Sequence, residues 1–546
     1  MKETYLPWKI SSWVTALALL SPILAIFYIA VGKSDDLFSH LFSTVLPTYT
    51  LNTFLLVAGT ALLALLFGLP AAWFMAMCRL PSERWLQWAL VLPLAMPGYI
   101  VGYIYTDWFD FAGPIQIWLR AFFAWTPQDY WFPDLRTLPG AAVILSLVLY
   151  PYVYLLARSA FMEQSRSLLQ SARLLNCTPW QSFIRVSLPL ARPTIAVGLS
   201  LVAMETLGDF GTVSYFAVST LTTAVYDTWL GYSNLTAAAK ISAMMLLVVV
   251  LLLSAERYSR RKQKHYQAQF SSHEESRYVL RGWKKYAALS WCWGLVIVGF
   301  ILPVAQLGSY AYRYLSQSWT LEFQVYSLNS LKVSLGAAGV CIVVALLVNF
   351  YRRLNGHMSD IQSSSVAPMR LSSLGYAVPG TVLAIGIMAS LLFLDHSVND
   401  VAKLMEWQRP GLIFSGSMFA LIFAFTVRFS AVAIGSVESS LMKVPPSLDM
   451  AARTMGCNAS QMLKRVHLPL SFRGALVAGL LVFIESMKEL NASILLRPFN
   501  FETLSTYVYN YVSDQQLELA ALPAILLVVV GLIPLILVNR SLEKVH

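Results

Sequence analysis

Long apolar runs separated by short polar loops follow one another along the whole chain. Runs long enough to cross a bilayer as helices begin at twelve places. They start near Ser12, Thr53, Leu86, Pro139, Pro193 and Ala237, and again near Ala287, Ser330, Leu371, Leu412, Gly474 and Ala520. The pattern predicts an all-α polytopic membrane protein with twelve transmembrane helices in two groups of six.

A polar segment occurs twice in this apolar background, and its two copies lie 280 residues apart. Residues 170–190 are named repeat segment 1, and residues 450–470 are named repeat segment 2. Each copy predicts a short helix, a turn at Asn176 or Gly456, and a second helix, because asparagine and glycine tolerate the left-handed conformation that ends a helix. The proline that follows, Pro189 or Pro469, is predicted to start the next span.

The similarity between the halves extends well beyond these segments. Residues 52–59 resemble 329–336, and residues 96–98 resemble 378–380. A repeat spread over several spans indicates duplication of a whole helical bundle. Because each half has an even number of spans, we expect two parallel repeats that share one orientation.

The duplication defines three predicted regions. Residues 1–258 form a first six-span half, residues 259–285 a basic cytoplasmic linker, and residues 286–546 a second six-span half. The linker and its flanks are rich in arginine and lysine, so the positive-inside rule predicts that they are cytoplasmic. Counting spans outward from the linker then predicts that both termini and both repeat segments are cytoplasmic.

Composition supports a membrane protein. Hydrophobic residues make up 57% of the chain and charged residues 12%, whereas a soluble domain carries about 25% charged residues. The net charge of +11 lies mainly in short loops between apolar runs. We therefore interpret the basicity as a signal of membrane orientation, and no nucleic-acid partner is predicted.

Four acidic residues fall inside predicted spans at matching places in the two halves. Glu205 and Asp209 align with Glu485 and Glu489 at the same offset of 280 residues. Because the members of each pair are four residues apart, they are expected to share one helix face. Carboxylates inside a membrane are costly and mark a transport route by default, here one that suits a cation.

A structural role for these acids is the alternative. Arg428 in the tenth predicted span is a credible neutralising partner, whereas Lys488 is expected to project from a different face.

Other chemistry has little support in the sequence. The five cysteines contain no CxxC pair, the seven histidines show no metal-ligand spacing, and no GxxxxGK[ST] phosphate loop is present. Asp395 and His396 are interpreted as a solvated loop pair in preference to a metal pair. We expect this chain to bind no metal or other cofactor of its own and not to be an enzyme.

The repeat segments resemble the coupling motif of ABC-importer permeases, E-A-A-x-x-x-G followed nine residues later by I-x-L-P. The positions that match the motif or stand in its place are Ser171, Ala172, Asn176, Val186, Leu188 and Pro189 in one copy and Ala451, Ala452, Gly456, Val466, Leu468 and Pro469 in the other. The leading glutamate is replaced by Gln170 and Met450, and Asp449 is the nearest acid in the second copy. The resemblance implies a surface that docks into a groove of a cytoplasmic ATPase.

The sequences around the intramembrane acids are similar to those of the fused two-half ferric-iron permeases of the ABC superfamily. This resemblance covers nearly the full length and implies two six-helix repeats of the type I ABC-importer permease fold in a bacterial inner membrane. It also implies two copies of an ATPase subunit, which would bind ATP and Mg, and a periplasmic substrate-binding protein. Ferric iron is the leading substrate. Thiamine, polyamine, sulfate and phosphonate permeases share the motif, and an ATP-independent secondary transporter or channel is the alternative class.

Overall fold

The computed structural model describes residues 6–33, 36–164, 170–171, 174–260, 277–355 and 365–543. Among the predicted site residues Ala172 lies outside these ranges, and so do linker residues 261–276. The described chain is almost entirely helical. In these ranges the strands β1 (Cys78–Arg79) and β2 (Tyr278–Val279) pair as a short parallel ladder, which joins the end of the linker to the first half.

The longer helices are, in chain order, α1 (Leu6–Ala30), α2 (Leu46–Met77), α3 (Glu83–Ala95), α4 (Gly98–Phe123), α5 (Leu138–Met162), α6 (Pro179–Gly208), α7 (Leu235–Arg260), α8 (Trp283–Arg313), α9 (Leu321–Asn355), α10 (Gly380–Leu404), α11 (Met418–Leu441), α12 (Pro446–Thr454), α13 (Ala459–Lys488), α14 (Leu504–Ser513) and α15 (Ala521–Glu543). Shorter helices are Leu37–Thr44, Gly211–Tyr215, Leu221–Tyr226, Leu315–Ser318, Val366–Ser372 and Ser493–Leu496.

Most of the predicted spans are present as single helices. Among the described residues, ten helices are long and apolar enough to cross a membrane, or eleven if the bent pair α3 and α4 forms one span. That pair is bent by 91°, because Met96 precedes a proline and takes an extended conformation that ends the helix. The twelfth predicted span corresponds to a shorter apolar helix, Leu517–Ile533.

The helices pack into two compact units, and each unit takes helices from both halves of the sequence. In their described parts, one unit comprises Met1–Leu41, Ala224–Leu246 and Trp319–Tyr507, and the other comprises Phe42–Thr223, Leu247–Ser318 and Val508–His546. In the first unit α1 packs on α9 and α10, and in the second unit α8 packs on α2 and α15. The predicted boundaries at 258 and 286 describe the sequence duplication and stay a prediction.

The duplication is visible in individual hydrogen bonds. The Thr53 hydroxyl accepts the N–H of Leu221 at 2.9 Å, and the Ser330 hydroxyl accepts the N–H of Leu504 at 2.6 Å. Each bond supplies an acceptor for a backbone N–H in the first turn of a helix, where N–H groups have no intrahelical acceptor. The two halves therefore use the same local solution at equivalent positions.

Candidate functional site

Repeat segment 2 has the predicted helix, turn and helix. The first helix, α12, ends before Gly456, whose φ of +77° is the left-handed conformation expected of a helix-ending glycine. The second helix then begins with a capping box, in which the Asn458 side chain accepts the N–H of Gln461 and the Gln461 side chain accepts the N–H of Asn458. The prediction for this copy is confirmed.

Repeat segment 1 has the same design in its described part. Gln170 and Ser171 are helical and exposed. Asn176 has a φ of +60°, and Thr178 and Gln181 form the equivalent capping box at the start of α6. The turn residues predicted from the sequence therefore take the predicted conformation in both copies.

The prolines lie in the first turn of the α-helical part of each span, as predicted, Pro189 in Leu188–Gly208 and Pro469 in Leu468–Lys488. In α6 and α13 this part continues from the short helix of the repeat segment before it. A π-helical stretch precedes each proline, at Phe183–Ser187 and at Leu463–His467. Because proline has no N–H and its ring crowds the preceding turn, the wider π turn lets the helix continue through it.

Both repeat segments expose apolar side chains. In repeat segment 1, Leu174 is 88% exposed, and Leu175 and Trp180 are also exposed. In repeat segment 2, Met455 is 75% exposed and Met450 is exposed as well. Such side chains on a polar segment form a surface suited to an apolar groove of a partner.

The inner face of repeat segment 2 is buried in the body of the protein. Ala452 is 1% exposed and packs in an apolar cluster with Phe350, Leu354, Ala459 and Met462. Phe350 and Leu354 belong to the last turns of α9. Of the two adjacent motif alanines, Ala452 therefore faces inward, whereas Ala451 is exposed.

Asp449, the predicted substitute for the motif glutamate, also faces inward. Its Oδ2 accepts a hydrogen bond from Nε of Arg353 at 2.7 Å, and its Oδ1 lies 3.0 Å from Nε2 of His467. Burial alone raises the pKa of this carboxyl, but the contacts with His467 and Arg353 outweigh it and lower the pKa below its usual value. Asp449 is therefore an anion at neutral pH.

The described part of repeat segment 1 is held by aromatic packing and by a hydrogen bond from Nε2 of Gln164 to the Ser187 carbonyl oxygen at 2.9 Å. Phe183 lies with its ring centroid 4.9 Å from that of Trp73 in α2 and 6.2 Å from that of Phe161 in α5. Trp180 packs on Phe183 at 5.5 Å. The two segments thus share a backbone design but are attached to their units by different chemistry.

The second acid of each intramembrane pair caps a helix. Asp209 is the residue that ends α6, and its carboxylate accepts the N–H of Thr212 at 2.9 Å and that of Val213 at 3.2 Å. Its backbone is extended, so Asp209 does not share a helix face with Glu205. The prediction of a shared face is wrong here, because the carboxylate turns to the start of the next short helix.

Glu489 occupies the equivalent position at the end of α13. It accepts the N–H of Ala492 at 3.1 Å, and its Oε2 lies 3.2 Å from Nε of Arg428. The glutamate is 7% exposed and the arginine 13%. For Glu489 the structure therefore has the pairing with Arg428 that was the alternative to a transport role. Glu489, like Asp209, lies past the end of its helix and does not share a face with Glu485.

Two Pro-Gly turns pack against these capping acids. A Cβ at Gly380 would lie 2.8 Å from Nη1 of Arg428 and 2.8 Å from Oε1 of Glu489, and a Cβ at Gly98 would lie 2.6 Å from the Thr212 hydroxyl. Only glycine leaves room for these approaches. Close packing next to the capping acids, which only glycine allows, therefore explains why residues 96–98 and 378–380 are similar.

The first acid of each pair lies one helical turn earlier, and Glu485 is more accessible than Glu489. Glu485 is 44% exposed and lies 3.5 Å from Nζ of Lys488 at a spacing of three residues, whereas Glu205 is partly exposed. The expectation that Lys488 projects away from the acids is wrong for Glu485, since residues three apart are neighbours on a helix.

Asp395 is not a solvated loop residue. It is fully buried, and its carboxylate accepts the N–H groups of Ile413, Phe414 and Ser415 at 2.9–3.0 Å. The residue fastens the loop after α10, so the predicted solvated pair with His396 is wrong. No group of three or more possible metal-binding side chains occurs in the part of the chain that the structure describes.

Comparison with known proteins identifies the family. The model of the binding-protein-dependent transport system inner membrane component matches residues 64–264 and 365–545. The Fe(3+)-transport system permease protein FbpB 2 of Haemophilus influenzae is 24% identical over 501 residues, which cover 90% of each chain.

Shorter similarities include permeases named for other substrates. The molybdenum transport system permease protein ModB of Escherichia coli is 32% identical over 158 residues, or 28% of this chain and 66% of its own length. The sulfate transport system permease protein CysT of Escherichia coli is 29% identical over 154 residues, or 28% of this chain and 52% of its own. The chain therefore belongs to the family of binding-protein-dependent transport system inner membrane components and is a multi-pass permease of an ABC importer.

Proposed function

We propose that this permease moves ferric iron, delivered by a periplasmic binding protein, into the cytoplasm of a bacterium. The observation that carries the proposal is the similarity over 90% of both chains to a protein named as an Fe(3+)-transport permease. The matches to sulfate and molybdenum permeases cover 28–38% of this chain.

ATP hydrolysis belongs to separate subunits in this proposal. Two ATPase subunits, which bind ATP and Mg, dock on repeat segments 1 and 2 from the cytoplasm, where both termini also lie. The exposed apolar side chains of the segments, among them Leu174 and Met455, supply the docking contacts. Closure of the ATPases moves the segments, and the passage opens alternately to each side of the membrane.

The first acids of the two pairs are the proposed cation contacts of this passage. Glu205 and Glu485 are partly exposed, and neither is the residue that caps the following helix. Asp209 and Glu489 are engaged in capping bonds and define where α6 and α13 end. A cation that sheds water gains from oxygen ligands such as carboxylates, whereas an anion would be repelled unless the acids are paired, as Glu485 is with Lys488.

The double variant Glu205→Gln, Glu485→Gln is expected to lower iron uptake by about tenfold or more while the protein still assembles, because glutamine keeps the shape and loses the charge. Uptake is measured in proteoliposomes with the ATPase and the binding protein present. Assembly is checked by gel filtration of the purified complex. Unchanged iron uptake in the double variant would count against these acids as cation contacts.

A parallel uptake experiment tests the substrate. The reconstituted complex is offered ferric iron, sulfate, molybdate, thiamine and a polyamine, each with its own binding protein and with ATP. We expect uptake of iron alone. Uptake of sulfate or molybdate without iron would reject the iron proposal, and full transport by the chain without any ATPase would reject the importer mechanism.

A further inference from the structure

Asp449 points away from the surface on which an ATPase would dock. Its side chain is 14% exposed, although its neighbour Met450 on the same helix is exposed. The carboxylate accepts a hydrogen bond from Arg353 and lies 3.0 Å from Nε2 of His467 on the inner side of α12. An acid in this position cannot serve as a docking contact without breaking both of these interactions.

Arg353 joins three elements at once. It lies in the last turn of α9 and is 5% exposed. Its Nε binds Asp449 of α12, while its two terminal nitrogens donate to the carbonyl oxygens of Leu441, the last residue of α11, and of Val444. The Leu441 carbonyl also accepts the N–H of Val444 at 3.1 Å. The rigid guanidinium fork fixes all of these groups relative to one another.

His467 adds a fourth element. It is fully buried at the junction between the π stretch and the membrane-spanning part of α13. Its imidazole lies 3.0 Å from the Asp449 carboxylate and 5.4 Å, between ring centroids, from Phe350 of α9. A displacement of α12 is therefore passed through Asp449 to α9, α11 and α13 together.

The first half has no such cluster in its sequence. At the offset of 280 residues, Leu169 stands in the place of Asp449 and Ser187 in the place of His467. Ser187 is buried, and Trp73 and Phe161 hold repeat segment 1 through Phe183. The Ser187 carbonyl oxygen also accepts a buried hydrogen bond from Nε2 of Gln164 at 2.9 Å. In its described part, repeat segment 1 is thus held by a neutral hydrogen bond and aromatic packing, whereas repeat segment 2 has a charged one, which is the stronger type.

We propose that Arg353, Asp449 and His467 form a joint that transmits the movement of repeat segment 2 into α9, α11 and α13. The three are positioning residues, while the exposed apolar side chains of the segment make the docking contacts. The proposal rests on the proposed importer function, because it concerns how ATPase movement reaches the spans. It assigns the acid of repeat segment 2 to the inside of the permease and not to the ATPase interface.

The test uses the complex of the full chain with its ATPase and with binding protein loaded with ferric iron. His467→Ser introduces the residue type that the first half has at this position, Ser187, and Arg353→Gln removes the guanidinium group. Both variants are expected to retain the ATPase on purification and to hydrolyse ATP at near the normal rate. Iron uptake per ATP hydrolysed is expected to fall by about tenfold, as for a lost coupling free energy of ordinary size.

Two variants serve as controls. His467→Gln keeps a donor that reaches Asp449 and is expected to restore most of the uptake per ATP. Arg352→Gln changes the adjacent arginine, which pairs with Glu438 of α11, and is expected to leave the ratio near normal. A purely structural defect would lower ATP hydrolysis and uptake together and would not be rescued by glutamine at position 467.

The outcomes separate this proposal from the importer proposal. If the unmodified complex shows no ATP-driven uptake, the importer function fails before the joint is tested. If the unmodified complex transports and His467→Ser keeps a normal ratio, the joint is overturned. Loss of the ATPase from both His467→Ser and Arg353→Gln would also overturn it, because the cluster would then be part of the docking surface.

Discussion

Arg428→Gln is expected to reduce the free energy of unfolding by about 3–5 kcal/mol, because it leaves a buried carboxylate without its cation. Glu489 is 7% exposed, and its Oε2 lies 3.2 Å from Nε of the arginine. A second bond, from the N–H of Ala492, remains but does not neutralise the charge. The measurement is the thermal unfolding of the purified permease in detergent, together with its yield from membranes.

The control for this prediction is Lys488→Gln. Lys488 pairs with Glu485, which is 44% exposed, so solvent replaces most of that interaction and a loss of about 1 kcal/mol or less is expected. The double variant Arg428→Gln, Glu489→Gln removes both charges and is expected to recover much of the lost stability. Equal losses from Arg428→Gln and Lys488→Gln, or a double variant no better than Arg428→Gln, would contradict the buried pair.

The two halves differ in the charged groups that surround their capping acids. Val148 stands at the position of the first half that corresponds to Arg428. Asp209 instead receives two backbone N–H groups and the Thr212 hydroxyl. The helix ends are therefore built alike, by a capping acid, but Glu489 also pairs with Arg428, whereas Asp209 accepts a hydrogen bond from a hydroxyl.

Local features of this fold could be predicted from the sequence. The turns at Asn176 and Gly456 follow from residue types that tolerate a positive φ, and the repeat fixes where to look for them. The pairing of Arg428 with Glu489 was also predictable, since a lone arginine in an apolar span needs an acid nearby.

Features that depend on tertiary contacts could not be predicted in the same way. Arg353 and Asp449 are 96 residues apart, and nothing in either local sequence indicates that they meet. From the sequence Asp395 is interpreted as a loop residue, and only the structure shows that its carboxylate accepts backbone N–H groups of residues 413–415. The one available signal for the joint is a difference between the copies, His467 against Ser187, which becomes informative only when the repeats are aligned.

Ala452→Glu is expected to abolish ATP-driven uptake, because it places a carboxylate inside the apolar cluster that holds repeat segment 2. Ala452 is 1% exposed among Phe350, Leu354 and Met462. An unpaired charge at such a position costs about 3–5 kcal/mol, which is enough to detach a short helix from its support. Uptake of ferric iron and retention of the ATPase on the purified chain are measured side by side.

Ala451→Glu is the matched control, since it adds the same charge one residue earlier on the exposed side of α12. Its carboxylate stays in solvent, so we expect partial loss of docking and measurable uptake. Ala172→Glu makes the equivalent change in repeat segment 1, at a position outside the described residues, and is expected to be better tolerated because that segment departs further from the family motif. Equal loss from Ala172→Glu and Ala452→Glu would show that the two segments are equivalent, and equal loss from Ala451→Glu and Ala452→Glu would show that burial of Ala452 is not what matters.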